Sequence, residues 1–323
     1  MPVIDGKPAG PPRPGPRHLI AVGAALSAGF GLAVQSRLNG ELGARLGDGI
    51  AASLDTTAMG LTALLVAVPA FPAGRRGLRR ARSAVRAGDL RWWHFCGGLG
   101  GALLVAGQGI SVRELGVAVF TVAVVGGTAA GGIVADWRGL GPGGPRAVTP
   151  ARFGGALLCV AAVAISGSGR LGAQGALGLV ALPVLAGFAV AIQSGLNARV
   201  ALAAGSPWPA TVINFVVAWF ALALAAAIEW AVRGFPGWRP DGVSWLYSAG
   251  FLGIAVIAVT TAVVRRVGVL VFGLAAVTGQ LLGAAAIDLV VPGPRPTGST
   301  MIGIGITIVA VLIAARPPGP RSG

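Results

Sequence analysis

Gln35-Ser36-Arg37-Leu38-Asn39 returns one half-chain later as Gln193-Ser194-Gly195-Leu196-Asn197. An apolar run leads into each copy, Leu19 to Val34 in the first and Ala176 to Ile192 in the second. Residues four apart share a helical face, so the Gln and Asn of each copy make a polar patch on an otherwise apolar rod. A buried side-chain amide needs hydrogen-bond partners. The four amides therefore either line a polar route or bond within a helix break and serve structure alone.

The repetition extends beyond the motif. A shift of 158 residues superposes the two copies and carries Ser53 onto Thr211, Thr56 onto Asn214 and Gly60 onto Ala218. A second register, shifted by 152, puts Trp93 on Trp245, Gly101 on Gly253, Arg113 on Arg265, Gly116 on Gly268, Phe120 on Phe272, Gly127 on Gly279, Gly131 on Gly283 and Asp136 on Asp288. These matches include Trp, Phe, Arg and Asp, so glycine richness does not produce them. The chain reads as a duplication.

Hydrophobic residues make up 54% of the chain and charged residues 11%, where a soluble domain carries about 25% charge. Apolar runs near 20 residues match a hydrocarbon core of about 30 Å crossed at about 1.5 Å per residue. The expected fold is all-α and polytopic: ten transmembrane helices as two inverted five-helix repeats. The spans are expected near 19–39, 49–71, 92–112, 115–135, 151–168, 174–197, 207–232, 243–264, 267–289 and 298–315. Residues 1–18 are expected to form a disordered cytoplasmic tail, 19–169 the first repeat with a basic cytoplasmic connector over 72–91, 170–316 the second, inverted repeat, and 317–323 a second cytoplasmic tail. Arg113-Glu114 and Arg265-Arg266 read as tight hairpins in corresponding places. Five spans per half is an odd number, so tandem copies enter the membrane from opposite sides. Such folds hold substrate near the midplane between the halves.

The net charge of +15 sits in loops between spans and follows membrane orientation. Eighteen of the 25 Lys and Arg fall on one side and seven on the other, which puts both termini in the cytoplasm. The Arg75 to Arg91 run is expected to anchor this topology against anionic lipid rather than bind nucleic acid. Cys96 and Cys159 lie inside expected spans and suggest neither a disulfide nor a metal site.

Gly97-Gly98-Leu99-Gly100-Gly101 follows no strand and lies within a span, so it reads as close helix packing and not as a phosphate loop. Gly127/Gly131 and Gly279/Gly283 are expected to make equivalent packing contacts. The residues assigned to substrate binding or gating are Gln35, Asn39, Gln108, Gln193, Asn197 and Gln280. Asp55 is the candidate for ion coupling, because an ionisable group inside a span is costly; it could equally pair with Arg37 or Arg45. Asp136 and Asp288 are expected near water at span ends, and Glu229 in a local pair with Arg233. Trp92, Trp93, Trp238 and Trp245 fall at span ends, while Trp208 and Trp219 face either bundle or lipid. With only His18 and His94, and no metal-spaced cluster, neither an enzyme nor a cofactor is expected.

These features together resemble the drug/metabolite transporter superfamily. Gln35-Ser-Arg-Leu-Asn39-Gly-Glu-Leu-Gly43 with Ala52-Ser53-Leu54, and Gln193-Ser-Gly-Leu-Asn197 with Thr211-Val-Ile-Asn214-Phe215, resemble the paired signatures of its YdcZ-like branch of bacterial inner-membrane permeases. The resemblance implies a multi-pass protein of the cytoplasmic membrane that exports a small molecule by alternating access, with proton exchange as a drive. It also implies that the first, third, fourth, sixth, eighth and ninth spans surround the cavity. Asp55-Thr56-Thr57 departs from Ile213-Asn214-Phe215, which puts a family-wide role for Asp55 in doubt. The expected partners are a small-molecule substrate and the lipid bilayer, with no nucleic acid, the chain acting alone or as a homodimer. A flippase for amphipathic cargo and a non-transporting scaffold or subunit remain as alternatives.

Overall fold

Backbone groups in a lipid-facing run can bond only within the segment, which leaves the helix as the solution for a single apolar strand of chain. The computed structural model describes residues 16–142, 144–145, 148–168, 176–234, 244–293 and 295–314. No β-strand occurs among them. The helices are α1 (Pro16–Leu46), α2 (Gly49–Ala70), α3 (Pro72–Arg86), α4 (Gly98–Leu115), α5 (Val117–Trp137), α6 (Pro150–Ser168), α7 (Ala176–Ala204), α8 (Pro207–Arg233), α9 (Ala249–Val290) and α10 (Gly298–Ala314), with 3-10 turns ahead of α4 and α9.

Among the described residues, six helical segments are long and apolar enough to cross a membrane: Leu19–Leu46, Gly49–Ala70, Trp92–Leu115, Val117–Trp137, Gly178–Ala204 and Pro207–Arg233. Pro150–Ser166, Trp245–Val256, Ala275–Val290 and Gly298–Ile313 are shorter apolar helices. The dominant helix pairs are α1 with α9, α5 with α7, and α6 with α10. Phe120, Val117, Val122, Leu281 and Ile304 form the largest buried apolar cluster, where α5, α9 and α10 meet.

Several boundaries differ from the sequence expectation. Helix α1 begins at Pro16, inside the expected tail, and continues past Asn39 to Leu46. The break falls at Gly47, with φ of +66°, and at Asp48, whose Oδ1 accepts from Ile50 N at 2.9 Å and Ala51 N at 2.8 Å. That carboxylate caps α2 at its positive end. The basic connector contains a helix, α3. Its Gly74, Gly77, Ala81 and Ala84 are buried, while Arg75, Arg76, Arg79, Arg80, Arg82 and Arg86 point outward.

At Arg265-Arg266, where the sequence predicts a connection between two spans, helical backbone runs throughout Ala249–Val290. The axis nevertheless reverses. Gly253 lies beside Gln35 and Val256 beside Gly31, and Val259 packs in one cluster with Ala21, Ala25 and Ala275. Beyond it, Gly279 lies against Leu26 and Gly283 against Phe30, and Arg37 Nη2 donates to Pro292 O at 2.8 Å. A straight helix would part Val259 and Ala275 by about 24 Å. The two limbs of α9 therefore run antiparallel, both along α1. The side chains of Arg265 and Arg266 lie outside the described residues, as do Trp238, the 169–175 junction, and residues 1–15 and 315–323.

Helix α4 passes to α5 through Gly116 alone, at φ of +80°, a conformation that favours glycine. Here a second expectation is corrected. Asp288, expected near water, is buried, and its Oδ1 and Oδ2 accept from Val117 N at 2.9 Å and Ala118 N at 2.7 Å. Its counterpart Asp136 is half-buried and pairs with Arg152.

The closest helix crossings recur at the two sequence registers. A Cβ on Gly127 would overlap the Val184 carbonyl, and one on Gly279 the Leu26 carbonyl. Gly187 meets the Val124 carbonyl as Gly29 meets that of Ala276; Gly98 meets Asn214 O as Gly250 meets Thr56 O. In each pair one helix shifts by 152 residues and its partner by 158. Gly127, Gly131 and Gly279 thus pack backbone on backbone, while Gly283 meets the Phe30 ring and Gly97 and Gly101 meet side-chain amides.

Candidate functional site: two amide clusters on α4

Helix α4 lacks large side chains at Gly97, Gly98, Gly100, Gly101, Gly107 and Gly109, so neighbours reach its backbone from several directions. At its C-terminal half it meets the first motif. Asn39 Nδ2 donates to Gln108 Oε1 at 2.6 Å, Gln108 Nε2 donates to Ser36 Oγ at 3.0 Å, and Ser36 Oγ donates to Leu32 O at 3.0 Å. Asn39, Gln108 and Ser36 are all buried. Ser53 of α2 closes this corner, its one hydroxyl hydrogen shared between Gly49 O at 2.6 Å and Val105 O at 2.9 Å.

The other end of α4 meets the second motif. Asn197 Nδ2 donates to Asn214 Oδ1 at 3.3 Å. A Cβ on Gly97 would sit 2.7 Å from Asn197 Oδ1, and one on Gly100 2.9 Å from Gln193 Oε1. The absent side chains are what admit these amides. Gly97 and Gln108 are eleven residues apart, so the clusters lie about 16 Å from each other along one helix.

Each cluster keeps an unused acceptor. Asn39 Oδ1 and Gln193 Oε1 are buried and accept no hydrogen bond from the described residues. An unsatisfied buried acceptor costs about 1–3 kcal/mol.

The remaining expected residues separate. Gln35 is half-buried beside Gly253, with Phe215 also against that glycine, so it faces α9 and not α4. Gln280, half-buried, follows the α9 crossing with Gly29 and joins neither cluster. Asp55 pairs with neither Arg37 nor Arg45: both arginines engage Glu41, at 3.4 Å and 2.9 Å. It lines a lateral groove instead. Glu229 does pair with Arg233, at 2.8 Å.

Three contributors were not picked out from the sequence. Ser36 lies inside the motif, yet serine in a helix ordinarily bonds its own backbone. Asn214 was visible as a polar residue in a span, but its pairing with Asn197 depends on tertiary placement. Asp48 carried a readable signal, since Asp immediately before an apolar helix is a capping residue; it also accepts from Trp230 Nε1 at 3.2 Å. Elsewhere, His94 is buried and its Nδ1 accepts from Arg91 N at 2.9 Å. Trp208 packs edge-on against Phe71, and Trp92 and Trp245 are exposed at helix ends. Among the described residues, no group of His, Cys, Asp and Glu is placed to hold a metal ion.

A cavity of about 840 Å³ opens beside the first cluster, between Gly43, Gly49 and Gly109, with Asp48, Arg113 and Glu229 at its rim. Gly205, the counterpart of Gly47 by the shift of 158, also has positive φ, +61°. There α3 lies across the α7–α8 turn: Gly77 packs on Ser206 and Pro209, and Arg80 on Gly205.

The strength of the first cluster can be measured by a cycle of Asn39→Ala, Gln108→Ala and the double variant. Thermal unfolding should give a coupling of about 1–2 kcal/mol. Additive losses would mean that the bond contributes nothing to stability.

A family model described as "Putative inner membrane exporter, YdcZ" matches residues 20–165 and 178–313. The second region begins 158 residues after the first (178 − 20), the register that superposes the motifs. No curated protein matches the chain.

Proposed function

The chain belongs to the YdcZ family of the drug/metabolite transporter superfamily, and from that premise we propose that it is a secondary exporter of a small metabolite or drug-like compound, working by alternating access. The family description names an inner-membrane exporter and no enzyme class. In this reading ten spans form two inverted five-span repeats, both termini are cytoplasmic, and α9 contributes two spans through its antiparallel limbs. Recurrence of the close crossings at both registers supports the repeat. The 18-to-7 division of Lys and Arg supports the orientation.

The observation that carries the function is the pair of amide clusters about 16 Å apart along α4, each with an unused buried acceptor. Acceptors held ready inside a bundle suit a cargo or gate that donates hydrogen bonds in one state and withdraws in the other. Gln35, Asn39, Gln108, Gln193, Asn197 and Gln280 are assigned to that role. The cavity beside the first cluster is the outer mouth, and α3 over the α7–α8 turn closes the inner one. Asp55 is the coupling candidate, because it is a half-buried carboxylate that opens on a groove from within a span.

The test is a thermal-shift screen of purified protein at two pH values against amino acids, nucleosides, sugars and amphipathic compounds, followed by transport of any hit in proteoliposomes. Ligand that binds the folded state raises its melting temperature by mass action. Gln193→Leu should leave the unliganded protein folded and reduce flux at least tenfold, and Gln35→Leu should act alike. Unchanged flux in both variants would remove the amides from the mechanism. Transport that keeps its pH dependence in Asp55→Asn would remove coupling there. A flippase acting on amphipathic cargo is the second reading, favoured by the lateral groove beside Asp55.

A further inference from the structure

Asp55, Met59, Thr62 and Val66 recur on one face of α2 at helical spacing, and they line one wall of a groove of about 540 Å³. Tyr247 and Phe251, from the turn before α9 and its first limb, line the other wall. This is the side of α2 away from α4: Ser53, two residues from Asp55, bonds to α4 through Val105 O. The groove is therefore separate from the amide clusters, and its occupancy does not depend on how they act.

The groove is chemically lopsided. Its walls are apolar except at one end, where the Asp55 carboxylate stands, and no Lys, Arg or His lines it. The hydroxyl of Thr62 donates to Ala58 O at 2.8 Å and is satisfied. Asp55 has no hydrogen bond or ion pair among the described residues. Met59 and Val66 are exposed, so the groove opens sideways along the helix.

Its dimensions follow the bilayer. Gly49 starts α2 beside the charged rim of the outer cavity, which puts Asp55 about 9 Å into the span. From Asp55 to Val66 is eleven residues, or about 16 Å, close to half of a hydrocarbon core of about 30 Å. The groove thus runs from about 9 Å to about 25 Å below the start of α2, across the bilayer midplane, with the Asp55 carboxylate at its upper end. An extended alkyl chain fits the lower part. A cationic amine fits the upper part, where the carboxylate supplies a charge-assisted hydrogen bond.

We propose that this groove between α2 and α9 is a binding site for a single-chain amphiphile with a cationic amine head, seated with the amine at Asp55 and the alkyl tail along Met59, Thr62 and Val66. Selectivity follows from the two ends. An anionic head meets the carboxylate and is repelled; a short amine lacks the contacts that the tail makes along Met59, Thr62 and Val66.

The experiment is titration of purified full-length protein, in a nonionic detergent, with dodecylammonium, dodecyl sulfate and butylammonium, each below its micellar concentration, read by tryptophan fluorescence and thermal shift. Dodecylammonium should bind saturably and raise the melting temperature; butylammonium and dodecyl sulfate should bind at least tenfold more weakly. Asp55→Asn, which keeps shape and removes charge, should weaken dodecylammonium binding at least tenfold. Val66→Trp, placed where the chain is exposed and folding is tolerant, should weaken dodecylammonium and leave butylammonium unchanged. Gln193→Leu should bind dodecylammonium as the parent does. Equal binding to the parent and Asp55→Asn, or equal binding of amine and sulfate, overturns the site. Loss of binding in Gln193→Leu alone would move the amine to the amide cluster and overturn it equally, while failure of transport with this binding intact would count only against the export reading.

Discussion

Asp288→Ala should lower the stability of the detergent-purified protein by on the order of 3 kcal/mol, the larger of the single-residue losses expected at a span end. The Asp288 carboxylate is buried and takes both Val117 N and Ala118 N. These are first-turn donors of α5, which have no partner within the helix. Alanine strands both away from water, and it removes a negative charge from the positive end of the helix dipole. Asp288→Asn retains one acceptor oxygen and should lose less than half as much. Asp136→Asn supplies the internal contrast, since Asp136 shares its charge with Arg152 at a part-exposed position and such pairs contribute below about 1 kcal/mol. Thermal unfolding of the three variants side by side would decide. An Asp288→Ala loss no greater than that of Asp136→Asn would mean that the α5 terminus finds its partners elsewhere.

The second large effect is expected at the glycine crossings. Gly127→Ala drives a Cβ into the Val184 carbonyl, and Gly279→Ala drives one into the Leu26 carbonyl. Backbone cannot rotate aside as a side chain can, so the helices must part, at a cost of about 1–3 kcal/mol or more from overpacking. The two variants should be destabilised to a similar degree because their surroundings correspond residue by residue. Gly132→Ala on the same helix as Gly127 meets nothing within 4 Å and should be neutral or slightly stabilising through helix propensity. Melting curves for all three check this, and a harmless Gly127→Ala would show that α5 and α7 do not need their close approach.

What could be read from the sequence was whatever depends on local pattern. The six long apolar runs announced themselves by length, Gly127 and Gly279 by spacing, and Glu229 with Arg233 by being one turn apart. The amides Asn39 and Gln108 were each visible, but their bond joins residues 69 apart in the chain, and nothing in either neighbourhood names the other. Asp288 failed for the same reason more sharply. Its position at the end of an apolar run signals water, and only the distant start of α5, 170 residues earlier or more, turns it into a buried cap. The basic connector hid a helix because its arginines dominate the composition, while the stripe that matters, Gly74, Gly77, Ala81 and Ala84, consists of small residues that carry little hydropathy signal. The reversal in α9 was expected as a break in helical backbone at Arg265-Arg266; local hydrogen bonding continues through Ala249–Val290 while the axis turns.

The placement of both amide copies on α4 has a mechanical meaning. Gln108 stands ten residues along α4 from Gly98, about 15 Å, so pivoting the helix by about 10° at the second cluster displaces Gln108 by roughly 2.6 Å. The Asn39–Gln108 bond of 2.6 Å would be broken by such a swing away from α1, while at the pivot the glycine face turns against Gln193 and Asn197. A rigid helix held at two such points cannot loosen at one without registering at the other. Whatever disturbs one copy of the motif is thereby felt by its twin through leverage alone, across half the thickness of the membrane.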